Sequence, residues 1–146
     1  MKKIPLVILL LVQTAQADIV SRCFDLYNNA TLNASINSTP MEIPTFDSRK
    51  DWADAFTGEV ITSNVSGTTP SHDVTIQTCE TSSASTCYDT PLMFDQCTTG
   101  TCYGGIGSQR IDLDKSNVHL RPFFRAKITL GGTSPVYNTR VRLCYR

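Results

Sequence analysis

From Val118 to Leu130 the even-numbered residues are mostly apolar: Val118, Leu120, Phe124, Ala126, Ile128 and Leu130. The odd-numbered ones include His119, Arg121, Arg125, Lys127 and Thr129. A period of two belongs to a strand with one buried face, and a helix cannot use it. Thr139–Arg146 repeats it, with Val141, Leu143 and Tyr145 on one side and Arg140, Arg142, Cys144 and Arg146 on the other. In Asp73–Thr78, Val74 and Ile76 alternate with Thr75 and Gln77. Pro122 marks a break or an edge irregularity. Strands are also expected near residues 31–37 and from Gly58 to Ile61. Asn64–Ser71 and Gly131–Pro135 read as loops, and Asp47–Phe56 as a helical turn or an extended piece. No segment after residue 17 holds a helical period for three turns. The expectation is an all-β chain built as a two-sheet antiparallel β-sandwich, because one flat sheet cannot bury its apolar face alone.

The N-terminus reads as an export signal. Met1, Lys2 and Lys3 give a positive start, Ile4–Val12 is apolar apart from Pro5, and Ala15-Gln16-Ala17 fits the small-residue pattern at a cleavage site. Residues 1–17 are expected to be removed before Asp18. The apolar run is too short for a membrane anchor, which needs about 20 residues, and no later run is long enough to span. Residues 18–146 form one domain's length. The expected location is secreted, periplasmic or on the cell surface.

All six cysteines, Cys23, Cys79, Cys87, Cys97, Cys102 and Cys144, follow the signal. An even number in an exported chain points to disulfides. Cys79 and Cys87 flank a turn-like Glu80–Thr86, and Cys97 and Cys102 flank Thr98–Thr101. The favoured pairing joins each of these couples and ties Cys23 to Cys144 at the two ends of the domain, although six cysteines allow fifteen pairings. Their spacings match no common zinc finger, and there is no Cys-x-x-Cys redox motif. No metal and no cofactor are expected.

His119–Tyr145, with its Arg-rich alternating strand, Ser-Pro loop and second alternating strand, resembles the closing strands of galactose-binding-like, or discoidin-like, jelly-roll domains. Asp73–Thr86 resembles a strand and turn of the same family, and Trp52 with Phe56-Thr57-Gly58 resembles an earlier tryptophan-containing strand. The stretch Cys87–Cys102 departs from that pattern. The resemblance implies a jelly roll with its terminal strands tied together, and a role in binding carbohydrate, lipid head groups or protein.

Catalytic signatures are scarce. His72 and His119 are the two histidines, each read as an ordinary surface or partly buried residue. No serine sits in a Gly-x-Ser-x-Gly elbow. Gly104–Ser108 lacks the lysine of a phosphate loop. Asp51/Asp54 and Asp112/Asp114 read as solvated loop edges, the latter able to contribute hard oxygens to calcium. The chain is therefore read as a non-catalytic binding module for a carbohydrate or an anionic surface. Trp52 and Tyr103 are stacking candidates. The alternative is a structural or accessory subunit of a surface assembly, since Tyr145, second from the end, resembles the penultimate tyrosine of chaperone-assembled pilins.

Charge is unevenly placed. Residues 110–146 carry eight Lys and Arg against two Asp and Glu; residues 18–100 carry three against eleven. The balance after the signal gives no reason to expect nucleic acid. If the strands around Arg125/Lys127 and Arg140/Arg142 were antiparallel neighbours, those four cations would share a solvent face. That face could meet an acidic glycan, a lipid head group or an acidic protein, including a second copy of the chain. The competing reading is that the acidic first half neutralises it. Asn29, Asn33, Asn37 and Asn64 each begin an N-x-S/T sequon. A eukaryotic secretory pathway would glycosylate some; in a bacterial exporter they would be incidental to a Ser/Thr/Asn-rich chain.

Overall fold

The computed structural model describes residues 22–43, 56–94, 107–113 and 121–145. The chain is all-β and its strands form one antiparallel sheet. These are β1 (Arg22–Leu32), β2 (Ile36–Asn37), β3 (Met41–Glu42), β4 (Phe56–Cys79), β5 (Cys87–Phe94), β6 (Gly107–Leu113) and β7 (Phe123–Tyr145). The central path is β1-β7-β4-β5, with β2 and β3 beside β7 and β6 beside β4. No helix among the described residues is long and apolar enough to cross a membrane. Two disulfides, Cys23–Cys144 and Cys79–Cys87, join directly paired residues, as the cysteine spacing led us to expect. Residues 1–17, read as an export signal, and Cys97 and Cys102 lie outside the described residues.

β4 and β7 are 24 and 23 residues long and pair from Phe56↔Tyr145 to Cys79↔Phe123. A straight strand rises about 3.3 Å per residue, yet Thr62 Oγ1 lies 3.4 Å from His72 Nε2, ten residues on. The ring of Phe56 stacks on that of Phe124, centroids 5.9 Å apart, although Phe124 pairs with Thr78 at the far end of β4. A Cβ added to Gly58 would stand 2.7 Å from Phe94 Cζ and 3.0 Å from Ile76 Cδ1. The long ribbon therefore doubles back, and its two halves face each other. One half holds β1, the C-terminal part of β7, the N-terminal part of β4, and β6. The other holds β2 and β3, the remaining parts of β7 and β4, and β5.

Alternation then fills the space between the halves. Phe56 and Val60 share one core with Val74, Ile76, Phe94, Phe124, Ala126 and Ile128, which Tyr137, Val141, Leu143 and Tyr145 join together with Leu26, Leu32, Ile43, Leu92 and Leu113. The stretches 64–71 and 131–135, read as loops from their turn residues, stay in the ladder. Both strands bend together, so each keeps the other as its hydrogen-bond partner.

Candidate functional site

The bent ribbon corrects the expected basic face. The segments carrying Arg125/Lys127 and Arg140/Arg142 are not neighbours; both belong to β7, on opposite sides of its bend. Each cation alternates with core residues, so Arg125 and Lys127 lie on the outer face of one half and Arg140 and Arg142 on that of the other. Each pair also meets groups of its own half. Arg140 donates from Nε and Nη2 to the two oxygens of Asp25, at 2.8 and 2.7 Å. Arg142 Nη1 donates to Glu59 Oε2 at 3.1 Å, and its Nε is 3.6 Å from Asp25 Oδ1. Acid from the first half of the chain thus neutralises this pair within the fold.

On the other half the arrangement is looser. Arg125 Nε donates to Gln77 Oε1 at 2.7 Å, and Gln77 Nε2 donates to Asp89 Oδ1 at 2.6 Å. Asp89 Oδ2 is 3.7 Å from Lys127 Nζ. Asp89 thus meets Lys127 directly and is linked to Arg125 only through the neutral Gln77, and Lys127 remains partly exposed.

Lys127 borders a shallow hollow of about 210 Å³, lined also by Ser35, Ile36, Asn37, Ile128 and Thr129. The hollow exists because β2 covers β7 over only two residues, Ile36↔Ile128 and Asn37↔Lys127. Around it, serine hydroxyls replace ladder carbonyls. Leu130 N–H donates to Ser35 Oγ at 2.8 Å, and Ala126 N–H to Ser38 Oγ at 2.9 Å. The segment is thereby held against β7 without a full strand. Ile36 is left exposed at this short strand, and Lys127, Asn37, Ser35 and Thr129 are among the other residues that line the hollow. Such a mixture suits the alternating C–H and O–H groups of a sugar, and the volume accommodates a single ring more readily than a drug-sized ligand.

Trp52 and Tyr103 lie outside the described residues, as do His119 and Asp114. Asp112 accepts a hydrogen bond from Thr57 Oγ1 at 2.6 Å and pairs with Arg110 at 3.6 Å. Among the described residues no group of three acidic, cysteine or histidine side chains could hold a metal ion. His72, read as a surface or partly buried residue, is buried at the bend, stacked on Tyr137 at 4.5 Å. Of the residues lining the hollow, the sequence reading named Lys127 as a binding candidate, met Ser35 and Asn37 only in sequons, and did not single out Ile36. The signal available was a lone isoleucine in a polar stretch. No family model, characterised protein or solved structure matches the chain.

Proposed function

We propose that this is an exported, non-catalytic binding module of jelly-roll type, related in design to galactose-binding-like domains. We further propose that it takes a carbohydrate bearing an anionic group at the hollow beside Lys127. The strand order supports the architecture. Taking β2 with β3 as one segment and β4 and β7 as two each, the eight segments run 1-8-3-6 in one half and 2-7-4-5 in the other. That is the order of a wrapped four-ribbon jelly roll, a double-sheet design used by lectins among others. The disulfides are compatible with an oxidising, extracytoplasmic location.

The single observation that carries the binding reading is the junction of Lys127, Asn37 and exposed Ile36 around one depression. The ammonium supplies charge, the amide and hydroxyls supply orientation, and the isoleucine packs a sugar's apolar face. Saturation-transfer NMR with glucuronate, sialic acid and galactose tests it on the mature chain. The acidic sugars should give the stronger signals. Lys127→Gln should weaken them at least about tenfold, the effect of losing one charge-assisted contact. Arg140→Gln with Arg142→Gln should leave them unchanged. Absence of binding, or a Lys127→Gln protein that binds like the parent, overturns the reading. Self-association in place of sugar binding would favour the structural-subunit alternative.

A further inference from the structure

We infer that Asn29, Asn33 and Asn64 carry N-linked glycans that crown the bent end of the molecule, while Asn37 stays bare. The inference rests on the reading that the chain is exported. Ser and Thr make up about a fifth of the chain, so seven asparagines would meet a hydroxyl residue two places on about once or twice by chance. Four do. In all four sequons both the asparagine and the hydroxyl residue, Thr31, Ser35, Thr39 or Ser66, are exposed. A core-bound copy of the motif would exclude a glycan, and none of the four is in the core.

Position separates three of them from the fourth. Asn29 pairs with Thr139 and Asn64 with Asn138, adjacent residues of β7. The two acceptors therefore stand at nearly one level on either flank of β7, and because their β7 partners are consecutive they project to opposite faces of the sheet. Asn33 lies just beyond the end of β1, where the chain leaves one half for the other. Asn29 Oδ1 accepts the Thr31 N–H at 3.0 Å, so its oxygen is engaged and Nδ2 is the atom left for modification. Glycans at these three sites would cover the bend and the neighbouring end of β1, where strand edges otherwise invite pairing with another chain. Asn37, a ladder residue like Asn29 and Asn64, differs from the other three asparagines in lining the hollow, and the Ser38 that follows it is buried.

The donor is a polyprenyl-diphosphate-linked oligosaccharide. Asparagine Nδ2 forms a bond to sugar C1 as the C1–O bond to the diphosphate breaks. The amide gives up one proton, and polyprenyl diphosphate leaves. The test uses protein recovered from the medium or envelope of the cells that make it. Its intact mass is measured before and after peptide-N-glycosidase, and the sites are mapped by enzymatic conversion of Asn to Asp in heavy-oxygen water. The expected result is a mass drop with label at positions 29, 33 and 64 and none at 37. Asn29→Gln, Asn33→Gln and Asn64→Gln should each remove one glycan step on a gel. An unmodified chain starting at Asp18 overturns the inference and leaves export standing; a chain retaining residues 1–17 overturns both. Label at Asn37 overturns the assignment of a bare site and sets aside the hollow as a ligand site.

Discussion

Asp25 shows how single side chains neutralise a face that looked basic in the sequence. It stands opposite Arg142 in the β1–β7 ladder, and Arg142 stands opposite Glu59 in the β4–β7 ladder. Cross-strand neighbours of opposite sign on one face attract. The hydrogen bonds from Arg140 hold the Asp25 carboxyl below its ordinary value; the charges of Arg140 and Arg142 add to this, against a desolvation that raises it. A carboxyl held low in the folded chain takes up its proton less readily there than in the unfolded chain. The stabilisation is therefore complete above the ordinary carboxylate range, near pH 4, and is lost as pH falls through the lowered value. Asp25→Asn should melt slightly below the parent at pH 7. The gap should narrow as the pH falls below the ordinary carboxylate range and shrink in 1 M salt, because the pair is partly exposed and screened. Thermal melts across this acid range and at two salt concentrations measure it, and a gap that changes with neither pH nor salt would refute the ionic origin. The alternation of Arg140 and Arg142 was legible in the chain. Their partners were not, because Asp25 and Glu59 lie 115 and 83 residues away and only the ladder register brings them there.

At the scale of the elements, the bend depends on mismatched counts between β4 and β7. Between Thr62 and Asn64, and again between Thr68 and Ser71, β4 has one more residue than β7; between Ser66 and Thr68 the excess is in β7. Side chains alternate, so each extra residue flips which ones face inward. β4 is flipped twice and keeps its even residues in the core on both sides of the bend. β7 is flipped once, from even at Phe124–Ile128 to odd at Tyr137–Tyr145. This explains why two clear alternations of opposite parity lie in one strand, and why they read as separate strands joined by a loop. Gly, Pro, Ser and Thr mark a bend and an interruption alike. Gly132 holds φ at +93°, and a Cβ there would press on the backbone oxygens of Thr69 and Thr68. Gly132→Ala should cost at least about 1–2 kcal/mol, the penalty for an L-residue in left-handed backbone, with the clash adding to it. Urea unfolding should show a lower midpoint at an unchanged slope. A variant as stable as the parent would mean that the ribbon bends without needing this conformation.

For the molecule as a whole, the order of the halves follows from which distant segments are tied. Cys23–Cys144 joins β1 to the end of β7 across 121 residues, whereas Cys79–Cys87 closes a turn of 8. Both pairings were legible because one couple brackets a turn and the other the domain's ends. The hollow was not, because it forms where 35–37 meets 127–129 along a two-residue strand too short to leave a periodic trace. A crosslink limits the unfolded chain, and its effect grows with the logarithm of the loop it closes. The chain-entropy relation gives about 5 kcal/mol for the long loop and about 2.5 kcal/mol for the short one. Replacing Cys23 and Cys144 by alanine should therefore lower the unfolding free energy roughly twice as much as replacing Cys79 and Cys87. Cys79 is fully buried, so its replacement also leaves a small void, which narrows the difference. Urea titrations of the two double variants, with circular dichroism confirming the strands, decide the matter. If the short-loop variant loses as much as the long-loop variant, constraint of the unfolded chain is not what the terminal bridge contributes. Its role is then local, holding β1 against β7 beside the Asp25–Arg142 contact two residues along each strand.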